Sequence, residues 1–291
     1  MAMGRYIHAG LEQAGLTVTS VGPYSRGTIP WGDGQISYRQ EYWKPPKIET
    51  PDYSEHSIET LFEYFDETRQ RFDCIIQAGD TYFLKGQAPI PNIVIGTDPH
   101  VIDYTKAKEH ADYYFSMQRH YAKDTEGYMP YGYDPDVHQL LDGVDNAFDV
   151  VLCGLQYEHR VRVLNRVKDL GYRVFAGIGP IYEEYATLYN SSHIAFNYSS
   201  QNDLPARFWE GLAMGRCVVT NRVPDLSEFN FIDGIDYLGF SSEDEAVEKI
   251  DWALKNPEKM REIAMNGYKK VQPHTYKNRV IKMLETTGVF K

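Results

Sequence analysis

The sequence predicts an α/β protein built of two parallel-sheet units. Strand-like and helix-like stretches alternate almost throughout, the strand stretches are continuous apolar runs, and 291 residues suffice for two ordinary cores. Unbroken apolar runs are what strands become when helices cover both faces of a parallel sheet.

In the first unit "MAMGRYIHAGLEQAG" opens directly as a helix. "LTVTSVG" is a strand ending in glycine, "IETLFEYFDETRQ" carries helical spacing, and "FDCIIQAG" and "PNIVIGTD" are buried strands. "ADYYFSM" and "GYMPYGYD" add two shorter strands, and the unit ends near Gly143. Units of this type open on a strand and a glycine turn, so the expectation is either that the natural start lies upstream or that this unit lacks its first strand. The second unit runs "FDVVLCG" (strand), "YEHRVRVLNRVKDLG" (helix), "YRVFAG" (strand), "IYEEYATLYNSS" (helix) and "HIAFNYS" (strand). The helix at "LPARFWEGLAMG" and the strand "CVVT" follow. "SEDEAVEKIDWALKN" and "PEKMREIAMNGYKKV" close it as amphipathic helices with capping signals. The expected domains are 1–143, 144–275 and a last helix over 276–291 crossing back to the first. The cleft between two such units, at the carboxyl ends of parallel strands, is the expected ligand site.

A formal charge of −11 argues against broad binding to nucleic acid, whose affinity comes from cationic side chains on phosphates. From Lys255 to Lys291, however, nine basic residues face three acidic ones. A solvated helix face explains this, and a peripheral contact with an anionic membrane is the alternative. The 23 tyrosines suit both packing and stacking on sugars or bases. Cys74, Cys153 and Cys217 have neither metal-ligand spacing nor an even disulfide set, and read as buried thiols of a cytoplasmic protein. No stretch approaches the roughly 20 apolar residues of a membrane span.

The chemistry concentrates in "DLPARFWEGLAMG". Asp203 is the expected N-cap, Pro205 lies in the first turn and Gly215 at the stop. Arg207 and Glu210 share one helix face, with Phe208 and Leu212 opposite toward the sheet, so the polar pair is expected to point away from the core. A helix N-terminus with an arginine fork suits a diphosphate, and a carboxylate one turn on can accept from a ribose diol. A surface ion pair at i,i+3 is the plainer reading. The loop "GPYSRGTIPWGDGQISYRQEYWKPPK" is long enough to hold an acceptor, or is a packed surface loop. No Walker lysine loop, G-x-S-x-G elbow or H-E-x-x-H is present, the one D-P-D, at Asp134 to Asp136, reads as a turn, and no essential metal is expected.

The run from "FDVVLCGLQYEHRVRVLNRVKDLGYRVFAGIG" through "HIAFNYS" and "LPARFWEGLAMGRCVVTNRVPDLSEFNFIDG" to "HTYKNRV" resembles the C-terminal half of glycosyltransferases of the two-Rossmann (GT-B) kind. It looks most like the branch related to the CgeB spore-maturation proteins. "IPNIVIGTDPH", "ADYYFSM" and "YMPYGYDPDVH" extend a fainter likeness back to Phe72. The resemblance implies two facing Rossmann-like domains and a nucleotide-diphosphate sugar donor, most readily a UDP-sugar, with no further cofactor. It gives Glu210 the ribose hydroxyls, and Arg160 and Arg207 the diphosphate. Gly177, Ile178, Gly179 and Pro180 form the loop that reads the base, while Gly154 and Asn197 lie at strand ends beside the donor. Asp98 and His100 fall near the sugar and acceptor. Many retaining relatives carry a second glutamate eight positions before the ribose one; here that position is Asn202, followed by Asp203, which are taken as its substitutes. The implied reaction is sugar transfer with retention and without metal, to a saccharide, lipid-linked glycan, protein or modified nucleobase. A nucleotide- or glycan-binding relative without catalysis, and a nucleotide-sugar epimerase, are the alternatives.

Overall fold

Apolar runs flanked by amphipathic helices assemble into two parallel sheets, each in its own unit. The computed structural model describes residues 2–22, 28–31, 34–37, 48–49, 57–67, 71–79 and 83–289. The chain divides into Met1–Pro130 with Tyr276–Lys291, and Tyr131–Thr275.

The first unit contains α1 (Ala2–Gln13), β1 (Val21–Gly22), β2 (Thr28–Trp31), β3 (Gly34–Ser37), β4 (Ile48–Glu49), α2 (Ile58–Glu67), β5 (Ile75–Gly79), β6 (Asn92–Gly96), α3 (Thr105–Lys108), β7 (Tyr113–Ser116) and β8 (Gly127–Tyr128). Strands β5-β6-β7-β8 form one sheet in that order, all parallel. Strands β1 and β4 make a short parallel pair and β2–β3 an antiparallel one; the rest of the glycine- and proline-rich loop lies outside the described residues. Strand β6 is buried along its whole length, as its unbroken apolar run requires. Ile58, Leu61, Phe65 and Leu84 form one apolar cluster, and Val94, Tyr104, Ala107 and Tyr114 another.

The second unit contains β9 (Phe148–Cys153), α4 (Glu158–Asp169), β10 (Val174–Gly177), α5 (Tyr182–Asn190), β11 (Ser192–Asn197), α6 (Ala206–Ala213), β12 (Cys217–Asn221), β13 (Leu238–Phe240), α7 (Glu243–Lys255) and α8 (Pro257–Val271). Its sheet is parallel throughout, in the order β10-β9-β11-β12-β13. One larger core fills it, with Val150, Leu152, Ile194, Phe196, Val219 and Phe240 on the strands and Val163, Ile250 and Met260 on the helices. Ser242 caps α7, its hydroxyl accepting from the Glu245 N–H at 3.1 Å, while Glu245 accepts in return from the Ser241 N–H at 2.7 Å.

The last helix, α9 (Tyr276–Thr287), belongs to the first unit and packs on α1. Tyr6 and Tyr276 stack with ring centroids 5.3 Å apart, and a Cβ on Gly10 would lie 2.8 Å from the Tyr276 backbone. Only glycine admits so close a crossing. The two ends of the second unit lie side by side, the Tyr133 N–H donating to the His274 carbonyl at 3.2 Å and the Tyr133 hydroxyl to Gln272 O at 3.3 Å. Among the described residues, no helix is long and apolar enough to cross a membrane.

Candidate active site

In the second sheet the chain runs outward from β9 to β10 and, in the opposite direction, from β11 to β12. Their shared boundary is therefore a topological switch point, where the carboxyl ends of the strands open a crevice. Two helix N-termini follow these strand ends, that of α4 after β9 and that of α6 after β11. Neither has a side-chain cap: Tyr157 and Pro205 occupy the cap positions in extended conformation without capping hydrogen bonds. Their free N–H groups and dipoles favour an anion.

The sequence expectation for α6 needs two corrections. Pro205 rather than Asp203 is the N-cap, because the extended backbone persists through the proline and the helix starts at Ala206. Glu210 does not point to solvent; it is buried, because α5 and the segment before β9 cover its side of the helix. Gly215 does end the helix, in left-handed conformation at φ +66° with its N–H on the Leu212 carbonyl at 3.0 Å.

Around the switch point the structure gathers most of the residues singled out in the second unit. A Cβ on Gly154 would meet Arg207 Nη1 at 2.7 Å, so the guanidinium lies directly over that glycine. Arg207 Nη2 donates to Asn197 Oδ1 at 3.2 Å, and Asn197 Nδ2 donates to Thr220 Oγ1 at 2.9 Å, so two strand ends aim the arginine. Arg207 Nε is buried and has no hydrogen-bond partner among the described residues. Arg160 is also buried, donating through Nε to Tyr198 O at 2.6 Å and through Nη1 to Leu155 O at 2.8 Å, with its guanidinium 4.7 Å from the Tyr157 ring centre. Burial, and then the nearby Arg207, push its pKa down to about 10, while Asp203 acts the other way. Two cations near enough to repel, one on neutral carbonyls and one with a buried N–H unused among the described residues, make a setting that suits an anion.

The loop Gly177–Pro180 joins the same rim: the Gly154 N–H donates to Gly177 O at 2.7 Å and Cys153 Sγ to Pro180 O at 3.7 Å. Ile178 is exposed, and Gly179, at φ +127°, leaves open space beside it. Asp203 is half-buried, whereas Asn202 is exposed in left-handed conformation at φ +58°.

Glu210 makes no ion pair with Arg207. Tyr185 on α5 donates its hydroxyl to Glu210 Oε2 at 2.6 Å, and His138 Nε2 stands 3.5 Å from Oε1. Neither partner was singled out from the sequence. Tyr185 sits in a run that reads as an ordinary amphipathic helix, and His138 is 72 positions away from Glu210 in the chain.

Asp98 and His100 lie in the first unit, just past β6. The Tyr104 hydroxyl accepts from the Thr97 and Asp98 N–H groups at 3.0 and 3.3 Å and donates to Gly79 O at 3.1 Å. Asp98 Oδ2 accepts from Thr97 Oγ1 at 3.1 Å. His100 packs its ring 5.5 Å from that of Tyr121, with a buried Nδ1 that has no partner among the described residues. Nor, among them, do three His, Cys, Asp or Glu side chains converge on a metal-sized site.

A search of curated protein sequences finds no match. Solved structures do share the fold. Sucrose-phosphate synthase from Thermosynechococcus elongatus is similar over 99% of this chain and 92% of its own, with TM-score 0.59 and 15% identity. HepE from Anabaena, solved in complex with UDP, is similar over 79% of this chain and 82% of its own, with TM-score 0.56 and 13% identity. AviGT4, a glycosyltransferase involved in Avilamycin A biosynthesis, is similar over 92% of this chain and 96% of its own, with TM-score 0.56 and 14% identity. These likenesses give the fold: an α/β protein of two Rossmann-like domains, of the GT-B type. A family model described as glycosyl transferase-like matches residues 138–285, just over half the chain and including the whole arginine-lined rim. By that match the chain belongs to the glycosyl transferase-like family.

Proposed function

We propose that the protein transfers a sugar from a nucleotide-diphosphate sugar to an acceptor hydroxyl or amide, with UDP-sugar as the donor, and that it lies in the CgeB-related branch of its family. The observation that carries this reading is the unsatisfied buried Nε of Arg207, beside Arg160 and two uncapped helix N-termini. A diphosphate placed there satisfies the orphan donor and removes the repulsion between the guanidinium groups. As the glycosidic bond breaks, negative charge grows on the leaving diphosphate, and the same groups stabilise it without a metal ion. Glu210 accepts from the ribose hydroxyls and Gly177–Pro180 line the base, which are positioning roles. Asp98 and His100 serve the sugar and acceptor, and Asp203, with Asn202, the sugar hydroxyls; retention follows from the family likeness. The unit Met1–Pro130 with Tyr276–Lys291 is assigned to the acceptor and Tyr131–Thr275 to the donor, in place of the boundary at 143 expected from the sequence. Work in the cytoplasm, with contact at a membrane surface through the basic C-terminal stretch, fits the sequence. HepE in complex with UDP, and with UDP-glucose, supports the choice of uracil.

Thermal unfolding against UDP, GDP, TDP, ADP and CMP, free and sugar-linked, tests the donor site. A ligand at about one hundred times its Kd adds roughly 2.7 kcal/mol, which moves the midpoint of a protein this size by about two degrees or more. One nucleotide standing out is the expected result, and a flat panel with folded protein overturns the assignment. A second reading, a binder without turnover, is favoured by one observation: Asn202, standing where retaining relatives carry a glutamate, is exposed. Such a protein would show the nucleotide shift but neither transfer nor donor hydrolysis.

A further inference from the structure

The surroundings of Glu210 are more specific than a donor-site carboxylate needs for burial alone. Each carboxylate oxygen has two lone-pair directions. Tyr185 fills one on Oε2 at 2.6 Å, and His138 Nε2 stands 3.5 Å from Oε1, a short shift from a hydrogen bond. The tautomer of His138 follows from its other nitrogen. Nδ1 accepts the Asp134 backbone N–H at 3.0 Å, so the ring proton of a neutral imidazole sits on Nε2, where it can only donate. Burial holds the imidazole neutral, pushing its pKa down against the opposing pull of Glu210 and Asp134. Burial likewise keeps the Tyr185 hydroxyl protonated. The Tyr185 and His138 rings also pack edge to face, with centroids 5.8 Å apart, so each holds the other in place.

We infer that His138 and Tyr185 are positioning residues that use one lone pair on each oxygen of Glu210 and so orient the two remaining for a cis-diol, the 2′- and 3′-hydroxyls of the donor ribose. This rests on the proposed function, in which Glu210 meets the ribose. It adds a specificity device: discrimination between ribose and 2′-deoxyribose is set by residues that do not touch the nucleotide. A carboxylate free to rotate could accept one hydroxyl in many orientations; one held from both sides accepts two in a single geometry.

The test is calorimetric titration of the full-length protein with UDP and 2′-deoxy-UDP, and with GDP and 2′-deoxy-GDP to cover a purine donor. The quantity read is the ratio of the two Kd values within a pair. The wild-type protein is expected to prefer the ribonucleotide by roughly 10- to 100-fold, the range for a hydrogen bond to a charged group, and Glu210→Gln to lose most of that preference. Tyr185→Phe and His138→Leu should each reduce the ratio to about threefold or less, whereas His138→Gln, which restores an N–H donor at a similar reach, should recover most of it. Tyr185→Phe preserves volume and keeps the test open should the histidine variants fail to fold. If Glu210→Gln loses the preference but Tyr185→Phe and His138→Leu retain it, the inference is overturned and the donor site stands. A variant that weakens both nucleotides equally, leaving the ratio unchanged, also overturns it, because that is the signature of a purely structural contact. A wild-type protein that binds neither nucleotide, or binds both alike, removes the ribose role of Glu210 and the inference with it.

Discussion

At the carboxyl end of β6 one tyrosine hydroxyl ties the backbone down, whereas at the carboxyl ends of β9 and β11 an arginine lies over a glycine with a buried N–H unspent. Each of the two sheets is parallel, but they dispose of their end groups differently. In the first unit Tyr104 answers two N–H groups and one carbonyl, and the loop bearing Asp98 and His100 is fixed by neutral hydrogen bonds. In the second unit Arg160 is spent on carbonyls that cannot cancel its charge, and Arg207 on an amide. Each end keeps a buried nitrogen without a partner among the described residues, His100 Nδ1 in the first unit and Arg207 Nε in the second, but the second sets its own beside another buried cation, Arg160.

The contrast breaks first at Arg207. Arg207→Ala should lower sugar transfer by about 100- to 1,000-fold, the cost of losing a transition-state donor, while leaving the melting temperature nearly unchanged; turnover within a factor of about three of wild type would show that the Arg207 charge is not catalytic. Tyr104→Phe tests the other side. It strands two buried N–H groups and should destabilise the first unit by about 1–3 kcal/mol, read as an earlier calorimetric transition with nucleotide affinity preserved.

Gly154→Ala sharpens the comparison without removing a charge. The new methyl meets the far end of Arg207 and sits on a backbone at φ +154° that residues with a Cβ rarely adopt, so the guanidinium moves and the turn is strained; nucleotide affinity should fall about tenfold, equivalent to about 1.4 kcal/mol, in protein that circular dichroism shows to be folded. Titration of His138 gives a smaller effect. Its folded pKa lies below the unfolded one, so between the two values the unfolded chain binds the extra proton and stability falls as pH drops below about 6.5. The wild-type unfolding free energy should therefore decline more steeply from pH 7 to pH 5 than that of His138→Gln, by at most about 1.4 kcal/mol per pH unit; parallel slopes would remove the assignment. The smallest effect belongs to Arg222, whose exposed guanidinium pairs with Asp233 at 2.6 Å and Glu245 at 2.9 Å. Arg222→Gln should change stability by less than about 1 kcal/mol, and less still in high salt.

Much of the second unit was legible in the sequence because its strands are long apolar runs and its helices carry caps and stops. The α7 boundaries follow from Ser242 and Glu245, and the end of α6 from Gly215. The pairing of Arg207 with Asn197 was not legible, since the sequence set both beside the donor without joining them. Nor was the burial of Glu210. A helical wheel tells which residues share a face, but not which other elements cover it, and here the covering groups come from α5 and from His138. Asp203 misled for a local reason: an acidic residue just ahead of a helix is a cap by composition, yet Pro205 keeps the backbone extended and takes the position. In the first unit "LTVTSVG" reads as a full strand, whereas among the described residues the pairing is Val21–Gly22 with β4.

The adjacency of Tyr133 and Thr275, with α9 packed on α1, has a consequence for synthesis on the ribosome. The second unit is one uninterrupted stretch whose ends meet, so all its contacts are available once residue 275 has emerged. The first unit is split by it in the chain, and the α1 face that receives Tyr276 stays uncovered until the final segment appears. Vectorial synthesis ordinarily completes domains from the N-terminus forward. Here residues 131–275 are all present before Tyr276 can reach the α1 face it packs on, although α1 precedes them in the chain.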